Sequence, residues 1–439
     1  MRAELDTRVA HALELARESG ADDAWASASR SRGVEVHVRD GAIEKVREST
    51  SRSLSLRIYA SGRYGTFATS DLREPGLRGF VREAVAMTLA LEPDPFRTIP
   101  DPSLFASEQD ERDLELVDPD VHTLSMPERI GACMAIAERA RLHERLVSAT
   151  ASVSDSSSLV VTRSTNGFSG SHERTMFARG GSVTLQDEGD ARPAGSAHAA
   201  ARHLMDLPPP GELGDEARRQ GARRLGATVG PTRRGTIVVE PRAAGRLIGL
   251  LLGPASARAF SQQRSFWRGR LGERAISERL TITDEPLIRR GLASRRYDGE
   301  GIGARTLPII ERGALVSLYV DTYYGRKIAM APTTGGSSNL VITPGARPLD
   351  AIVRDLDDAI LVTSWLGGNS DATTGDFSLG LRGHRIERGV IGAPVKEMNL
   401  TGDVLTLFGA LTEVGSDPWP YSSTRVPTLV FDGADLSGA

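Results

Sequence analysis

Residue pairs that could take part in metal-dependent hydrolysis occur in this sequence only as fragments. The dipeptides His143-Glu144 and His172-Glu173 match the beginning of a motif in which histidine binds zinc and the neighbouring glutamate acts as a general base. That motif needs a second histidine about one helical turn further on, and neither dipeptide has a histidine four or five residues later. We therefore interpret both histidines as structural or surface residues.

The other common metal ligands are no better placed. His198 and His203 are five residues apart in a segment typical of the end of a strand, and this odd separation directs their side chains to opposite faces. The only cysteine, Cys133, can form neither an internal disulfide nor a thiolate zinc site. Its helical spacing with Ile130 and Ala137 predicts a small buried hydrophobic residue.

Motifs for nucleophilic catalysis and nucleotide binding are also incomplete. Residues 335–339 begin like a nucleophile elbow but lack its final glycine and its strand-turn-helix setting. Gly299, Gly301 and Gly303 resemble the start of a dinucleotide-binding fingerprint, yet neither the third glycine of that pattern nor a helix follows. We interpret these glycines as loop-forming residues.

The elements that must position any site begin with a helix over residues 5–19, which ends at a glycine. Alternating apolar residues then predict strands, with two-residue turns at positions 40–41 and 61–62. A second amphipathic helix is predicted over 77–91. The pattern indicates an N-terminal α+β domain that comprises residues 1–91.

The middle of the chain begins with a connector rich in proline and acidic residues, at positions 92–124. Ser125 and Glu128 then form a capping-box pattern that predicts the start of a helix. Short strands follow, with breaks expected at residues 166–167 and at the glycine pair 180–181. A last helix completes a central α+β domain, residues 125–230.

The final domain, residues 231–439, is predicted to be rich in strands. It opens with the strand of residues 236–240, which leads into a helix with Pro241 in its first turn. A hairpin is expected at Arg312-Gly313. The predicted fold class is α+β, with mostly antiparallel sheets, a few packed helices and two to three domains.

Composition restricts the classes of partner. The chain has 439 residues, and 54 Lys and Arg against 57 Asp and Glu give a net charge of −3. A nucleic-acid-binding protein would carry a strongly basic face, so we expect no nucleic-acid partner. No apolar run approaches the roughly 18 residues of a membrane span, and the N-terminus lacks the apolar core of a signal peptide. We therefore expect a soluble, cytoplasmic protein without membrane contact.

Several segments, taken in order, resemble one known family. Residues 291–294 (GLAS) and 297–301 (YDGEG) resemble the GLAS…FDxEG signature of the TldD/TldE (PmbA) family. Residues 332–336 (PTTGG) follow at the expected distance, and residues 374–380 are similar to the TGDFS-G turn of that family. The resemblance covers nearly the whole chain.

The family has two branches that differ in their chemistry. TldD-like members carry a zinc-binding HExxxH helix and a cysteine near the C-terminus, whereas TldE-like members lack these groups. In this chain Gly249, Leu250 and Pro254 align with the first His, the Glu and the second His. None of the three side chains can bind a metal or act as a base. Residues 204–383 contain no histidine, so the chain resembles the TldE branch.

This resemblance implies that the chain binds no zinc and has no catalytic residues of its own. It would pair with a TldD-like metallopeptidase subunit that holds the zinc, in a hollow heterodimer that cleaves short or unfolded peptides. Strand addition to a free sheet edge is the expected mode of peptide binding. The candidate substrate-binding residues lie in two loops, although glycine and aspartate also favour turns for purely conformational reasons: Asp298, Glu300, Gly301, Gly375, Asp376 and Ser378.

Two alternatives remain open from the sequence. The chain could be a stand-alone peptide-binding or scaffold protein, and isolated chains could form a homodimer. It could also be a metal-independent enzyme with a site that matches no motif above. For the helix that contains Gly249, the apolar run of residues 247–252 predicts burial, including burial of Gly249 and Leu250.

Overall fold

The computed structural model describes residues 1–106 and 112–438. Its elements are helices packed on mostly antiparallel sheets, which confirms the predicted α+β class. Within the described residues, no helix is both long and apolar enough to cross a membrane.

The first half of the chain is built on one six-stranded antiparallel sheet, in the order β3-β2-β1-β4-β5-β6. Its elements are α1 (Arg2–Glu18), β1 (Asp23–Arg39), β2 (Ala42–Ala60), β3 (Arg63–Thr69), α2 (Glu74–Leu89), α3 (Met126–Ala140), β4 (Leu146–Ser164), β5 (Ser169–Leu185), β6 (Ala194–Ala201) and α4 (Pro210–Ala222). Strands from the predicted N-terminal and central domains thus share a single sheet. The domain boundaries given above stay a prediction.

All four helices cover the same face of this sheet. Alternate residues of β1, such as Ala26 and Ala28, pack under α1 and α2, while Val36 and Val38 pack against α3. The opposite face is mostly polar, because the intervening residues of β2, β1 and β4 are mainly serines and charged residues. Cys133 of α3 is fully buried, which confirms its predicted role as a small hydrophobic residue.

The predicted turn at residues 40–41 and the predicted capping box are confirmed, whereas one predicted break is wrong. Asp40 and Gly41 both have positive φ, of 51° and 86°, in the tight turn between β1 and β2. Ser125 and Glu128 form the predicted capping box at the start of α3. The break expected at the glycine pair 180–181 is wrong, because both glycines lie inside β5. A Cβ on Gly181 would lie 2.8 Å from Ile136, so this glycine allows a helix to pack closely on the strand.

The second half contains a closed barrel. Strands β18, β8, β13, β14 and β15 form a ring, because β15 also pairs with β18. A separate five-stranded sheet has the order β11-β10-β9-β12-β17. The elements are β7 (Thr228–Val229), β8 (Arg233–Val239), α5 (Pro241–Leu252), α6 (Ala257–Ser261), β9 (Ile282–Asp284), β10 (Leu307–Glu311), β11 (Ala314–Leu315), α7 (Thr322–Ile328), β12 (Leu340–Ile342), α8 (Leu349–Arg354), β13 (Asp358–Ser370), β14 (Asp376–Glu387), β15 (Val390–Asp403), α9 (Val404–Gly409), β16 (Leu411–Val414), β17 (Thr424–Arg425) and β18 (Leu429–Ser437).

The predicted connector, residues 92–124, links α2 to α3 within the first half of the chain. Its backbone also contacts the second half, through hydrogen bonds from Ala106 to Gly301 and from Arg290 to Leu114. Its described part includes short 3-10 turns at Pro102–Leu104 and Pro119–His122. Residues 107–111 of the predicted connector lie outside the described residues. Residues 113–117 pass over the open face of the six-stranded sheet and help to form a cavity described below.

Candidate functional site

Helix α5 occupies the position at which the sequence resemblance places a zinc motif. Its apolar side, which includes Leu247, Ile248 and Leu251, is buried in the core of the second half. Gly249 lies on the opposite side and is exposed, and a Cβ placed there would meet no atom within 4 Å. The predicted burial of Gly249 is therefore wrong: the helix is amphipathic, and this residue points away from the barrel. Leu250 is half-buried.

The end of α5 is closed by polar groups that bind the backbone. The indole Nε1 of the fully buried Trp267 donates to the carbonyl of Leu251 at 2.9 Å. The hydroxyl of Ser265 donates to the carbonyl of Pro254 at 2.9 Å. Pro254, which directly follows the C-cap residue Gly253, is buried. These neighbours stabilise the helix end, but they supply no metal ligand.

The residues at this position do not fit a zinc ion. Zinc in proteins is bound by imidazole, thiolate or carboxylate groups, and Gly249, Leu250 and Pro254 carry none of them. In the part of the chain that the structure describes, no group of three or more His, Cys, Asp or Glu side chains could hold a metal ion.

The structure brings Asp298, Glu300 and Gly301 together in one loop. The carboxylate of Asp298 accepts hydrogen bonds from the backbone N–H groups of Glu300 and Ile302, at 2.9 and 3.1 Å. Its other oxygen accepts from the N–H of Gly335 at 3.0 Å and from the hydroxyl of Thr334 at 3.1 Å. Asp298 therefore ties two loops together.

Glu300 and Gly301 hold this loop against its neighbours. The Glu300 carboxylate accepts from the N–H and hydroxyl of Thr322, at 2.8 and 2.7 Å, and so caps the start of α7. Burial raises the pKa of Glu300 above its usual range. Gly301 has φ of +77°, and a Cβ there would lie 2.6 Å from Phe168 and 2.8 Å from Trp25. Both residues have structural contacts that account for their types.

The second predicted group, Gly375, Asp376 and Ser378, lies on the hairpin between β13 and β14. Gly375 has φ of +97°, and a Cβ there would lie 2.3 Å from the Asp403 carboxylate. Asp376 is exposed and accepts from the hydroxyl of Thr374 at 2.8 Å. Ser378 is also exposed. Among the described residues, no hydrogen bond joins this group to the Asp298 loop, so the structure presents two separate candidate regions.

The same hairpin carries a free strand edge beside α5. Strand β14 pairs with β13 along its length, but β8 pairs with β13 only at residues 359–362. The β8 side of residues 364–370 consequently has no strand partner within the described part of the chain. The indole of Trp365 donates to the carbonyl of Ala243 at 2.9 Å, which fixes this edge to the first turn of α5. The free backbone groups can accept an added strand.

A cavity of about 640 Å³ lies between the open face of the six-stranded sheet and residues 294–299 of the second half. Its sheet side includes Trp25 and His172, and its other side includes Tyr297. The sequence prediction missed this site, because its walls come from distant segments. One available signal was Trp25, a large aromatic residue on a strand face that otherwise carries mostly polar residues.

Burial shifts the pKa values of two titratable groups of this cavity, His172 and Tyr297. Burial lowers the pKa of His172 to about 4 and raises the pKa of Tyr297 to about 12. His172 Nδ1 and the Tyr297 hydroxyl form a hydrogen bond at 3.4 Å. Both side chains are thus neutral near pH 7, far from the poised pKa of an efficient general acid or base.

Comparison with known proteins covers the whole chain. Three family models of the PmbA/TldA metallopeptidase match this chain. The model of domain 1 matches residues 26–88, that of the central domain matches residues 119–225, and that of the C-terminal domain matches residues 232–438. The Metalloprotease PmbA of Escherichia coli O157:H7 is 27% identical over 99% of this chain and 96% of its own length.

Solved structures show the same similarity. A Bacteroides thetaiotaomicron protein, described as a candidate modulator of DNA gyrase, is 33% identical with a TM-score of 0.96, over 99% of both chains. TldE from Thermococcus kodakarensis has a TM-score of 0.85 at 19% identity, over 98% of this chain and 100% of its own, and so supports the fold alone. With three matching domains in order and a 33% identical structure of the same extent, the chain belongs to the TldD/TldE (PmbA) family.

Proposed function

We propose that this chain is the non-metal-binding partner subunit of a TldD/TldE-type zinc metallopeptidase. The complex degrades or matures short or unfolded peptides inside a heterodimeric cavity, and the TldD-like partner supplies the zinc and the catalytic residues. The observation that carries this proposal is the chemistry of α5 and its C-terminal end. Glycine, leucine and proline stand where the resemblance expects two ligands and a general base.

The exposed side of α5 supports a role beside a peptide rather than at a metal. This side carries Arg246 and the small residues Gly245 and Gly249, and a Cβ at either glycine would meet no atom within 4 Å. The free edge of β13 runs alongside, at residues 364–370. A chain that lacks zinc ligands but keeps an accessible strand edge can hold an extended peptide through its backbone.

The hairpin that carries this edge is shaped to keep it open. Gly367 and Gly368 have φ of +117° and +123°, a conformation that L side chains rarely adopt. The register between β13 and β14 also shifts between Trp365 and Gly367. Asp376 and Ser378 lie exposed on the paired strand. We propose that this hairpin, with the Asp298 loop as a supporting element, contributes the peptide-binding surface of this subunit.

Zinc analysis of the purified chain tests whether the chain lacks a zinc site, as the residues at Gly249, Leu250 and Pro254 indicate. The chain is treated with chelator, incubated with excess zinc, passed through a desalting column and analysed for bound metal. We expect less than about 0.1 zinc per chain, because tight zinc sites need three or four ligands. A TldD-like protein with an intact HExxxH sequence, treated in the same way, is the positive control and should retain about one zinc.

Retention of about one zinc by this chain alone would contradict the proposal.

Co-purification with a TldD-like protein is a second test of the proposal. The chain should form a stable complex with a TldD-like protein of the same organism, and this complex should contain zinc only through the partner. A chain that remains a homodimer and excludes such a partner would favour the stand-alone peptide-binding alternative.

A further inference from the structure

We propose that the cavity between the six-stranded sheet and residues 294–299 binds a small organic carboxylate that carries an aromatic or aliphatic group. The C-terminal residue of a peptide and a free carboxylic acid share this chemistry. The cavity lies within one chain, so this inference does not depend on the partner-subunit proposal.

The size and walls of the cavity suit a small molecule. Its volume of about 640 Å³ is within the range of small-molecule sites. One wall is the open face of the sheet, where Trp25, Val160 and His172 lie on neighbouring strands. The other wall includes Tyr297 and residues 113–117. Aromatic or aliphatic side chains therefore line both walls of the cavity.

Arg57 is the residue that selects for an anion. Its guanidinium carbon is 5.9 Å from the centre of the Trp25 ring, at the cavity wall. Arg57 is half-buried, and among the described residues it makes no hydrogen bond or ion pair. Gly299 leaves room beside it, because even an added Cβ there would lie 3.7 Å from the guanidinium. A half-buried guanidinium that has no counter-ion in the described part of the chain is well suited to pair with a carboxylate.

Two acidic groups of the cavity already have partners and do not neutralise Arg57. Glu115 forms ion pairs with Arg289 and Arg290. The Asp298 carboxylate accepts hydrogen bonds on both oxygens. Within the described residues, no carboxylate pairs with Arg57, so its charge is available to a ligand.

Charged groups of both signs line the rest of the cavity. The guanidiniums of Arg174, Arg295 and Arg296 each donate a hydrogen bond, to Ser158, Thr334 and the carbonyl of Arg112 respectively. The carboxylates of Asp113 and Glu173 would repel a dianion such as phosphate more strongly than they would repel a carboxylate. Burial holds the pKa of His172 at about 4, so its ring adds no positive charge near neutral pH. Ser27 and Thr162, whose hydroxyls are 2.8 Å apart, provide neutral hydroxyl donors on the sheet wall.

Calorimetric titration of the full-length chain tests this inference with four probes. The probes are N-acetylphenylalanine, its amide, a tetrapeptide that ends in phenylalanine, and the C-terminal amide of that tetrapeptide. We expect at least one free acid to bind about tenfold more tightly than its amide, because only the acid forms the charge-assisted pair with Arg57. Equal binding of both acids would identify a free carboxylic acid as sufficient, whereas binding of the tetrapeptide acid alone would identify a peptide C-terminus.

Substitution at Arg57 provides the second arm. Arg57→Gln should weaken binding of the acid about tenfold and leave binding of the amide unchanged, whereas Arg57→Lys should retain part of the preference. Arg47→Gln is the matched control, because Arg47 lies on the same strand face but outside the cavity. Equal affinity for acid and amide in the unsubstituted chain, no binding of any probe at millimolar concentration, or tighter binding of inorganic phosphate would overturn the inference.

Discussion

At the scale of single residues, the structure explains its buried ionisable groups by their local partners. Arg129 and Asp155 form a buried pair between α3 and β4, at 2.5 Å. Arg202 is 2% exposed and donates to the carbonyl oxygens of Thr175 and Gly291, at 2.9 and 3.4 Å. His172 differs, because its low pKa arises mainly from burial and it has no acidic partner among the residues that the structure describes. A buried neutral histidine makes stability depend on pH.

We predict that His172 reduces stability in mild acid. Its pKa is about 4 in the folded chain, below the usual value of about 6.5 in an unfolded chain. The unfolded chain therefore binds the proton more readily, and the stability is lost as the pH falls from about 7 towards 4. When the pH falls from 7 to 5, the unsubstituted chain should lose about 1–2 kcal/mol more unfolding free energy than the His172→Asn variant.

Denaturant unfolding at the two pH values measures this difference. His122→Asn is the control, because His122 is exposed and should not change the pH dependence. An unchanged pH dependence in His172→Asn would show that the imidazole is more accessible to water than the structure indicates.

At the scale of elements, α5 combines a buried side with an open side. Its apolar residues pack in the core of the second half, and Trp267 closes its C-terminal end. The exposed glycines face away from this core, so adjacent positions on one helix differ in their expected response to substitution.

Two substitutions on α5 should therefore have opposite effects. Leu251→Asp should lower the unfolding free energy by about 3–5 kcal/mol, because it places an unpaired carboxylate in the core. Gly249→Ala should raise it by about 0.5–1 kcal/mol, because alanine favours a helix and the added Cβ meets open space. Thermal or denaturant unfolding of both variants checks the prediction. An unchanged unfolding free energy in Leu251→Asp would show that this side is exposed.

Local elements could be predicted from the sequence, but their extent and assembly could not. The turn at residues 40–41 and the capping box at Ser125 depend on neighbouring residues, so short-range patterns were sufficient. The glycine pair 180–181 was misread as a break, because its reason is contact with a distant helix. The burial of Gly249 was predicted wrongly, because residues 247–252 are almost all apolar and so do not indicate which side of the helix faces the core. The cavity was missed because its walls meet only in the folded chain.

At the scale of the whole molecule, the two halves meet through aromatic packing and buried hydrogen bonds. Trp25 stacks on Phe168 at 4.8 Å between ring centres, and Tyr297 from the second half packs edge-on against Phe168 at 5.0 Å. Gly301 allows the second-half loop to approach both Trp25 and Phe168. These contacts fix the walls of the cavity relative to one another.

Peptidase activity of the separate and combined subunits tests the central claim most directly. This chain, a TldD-like partner and their mixture are assayed on an unfolded peptide, each with and without chelator. We expect no cleavage by this chain alone, full cleavage only by the mixture, and loss of that cleavage in chelator. Within the mixture, Gly249→Ala in this chain should leave turnover largely intact, because Gly249 carries no catalytic group and the added methyl group meets open space. Full cleavage by this chain alone, unchanged by chelator, would contradict the account and point to a metal-independent enzyme.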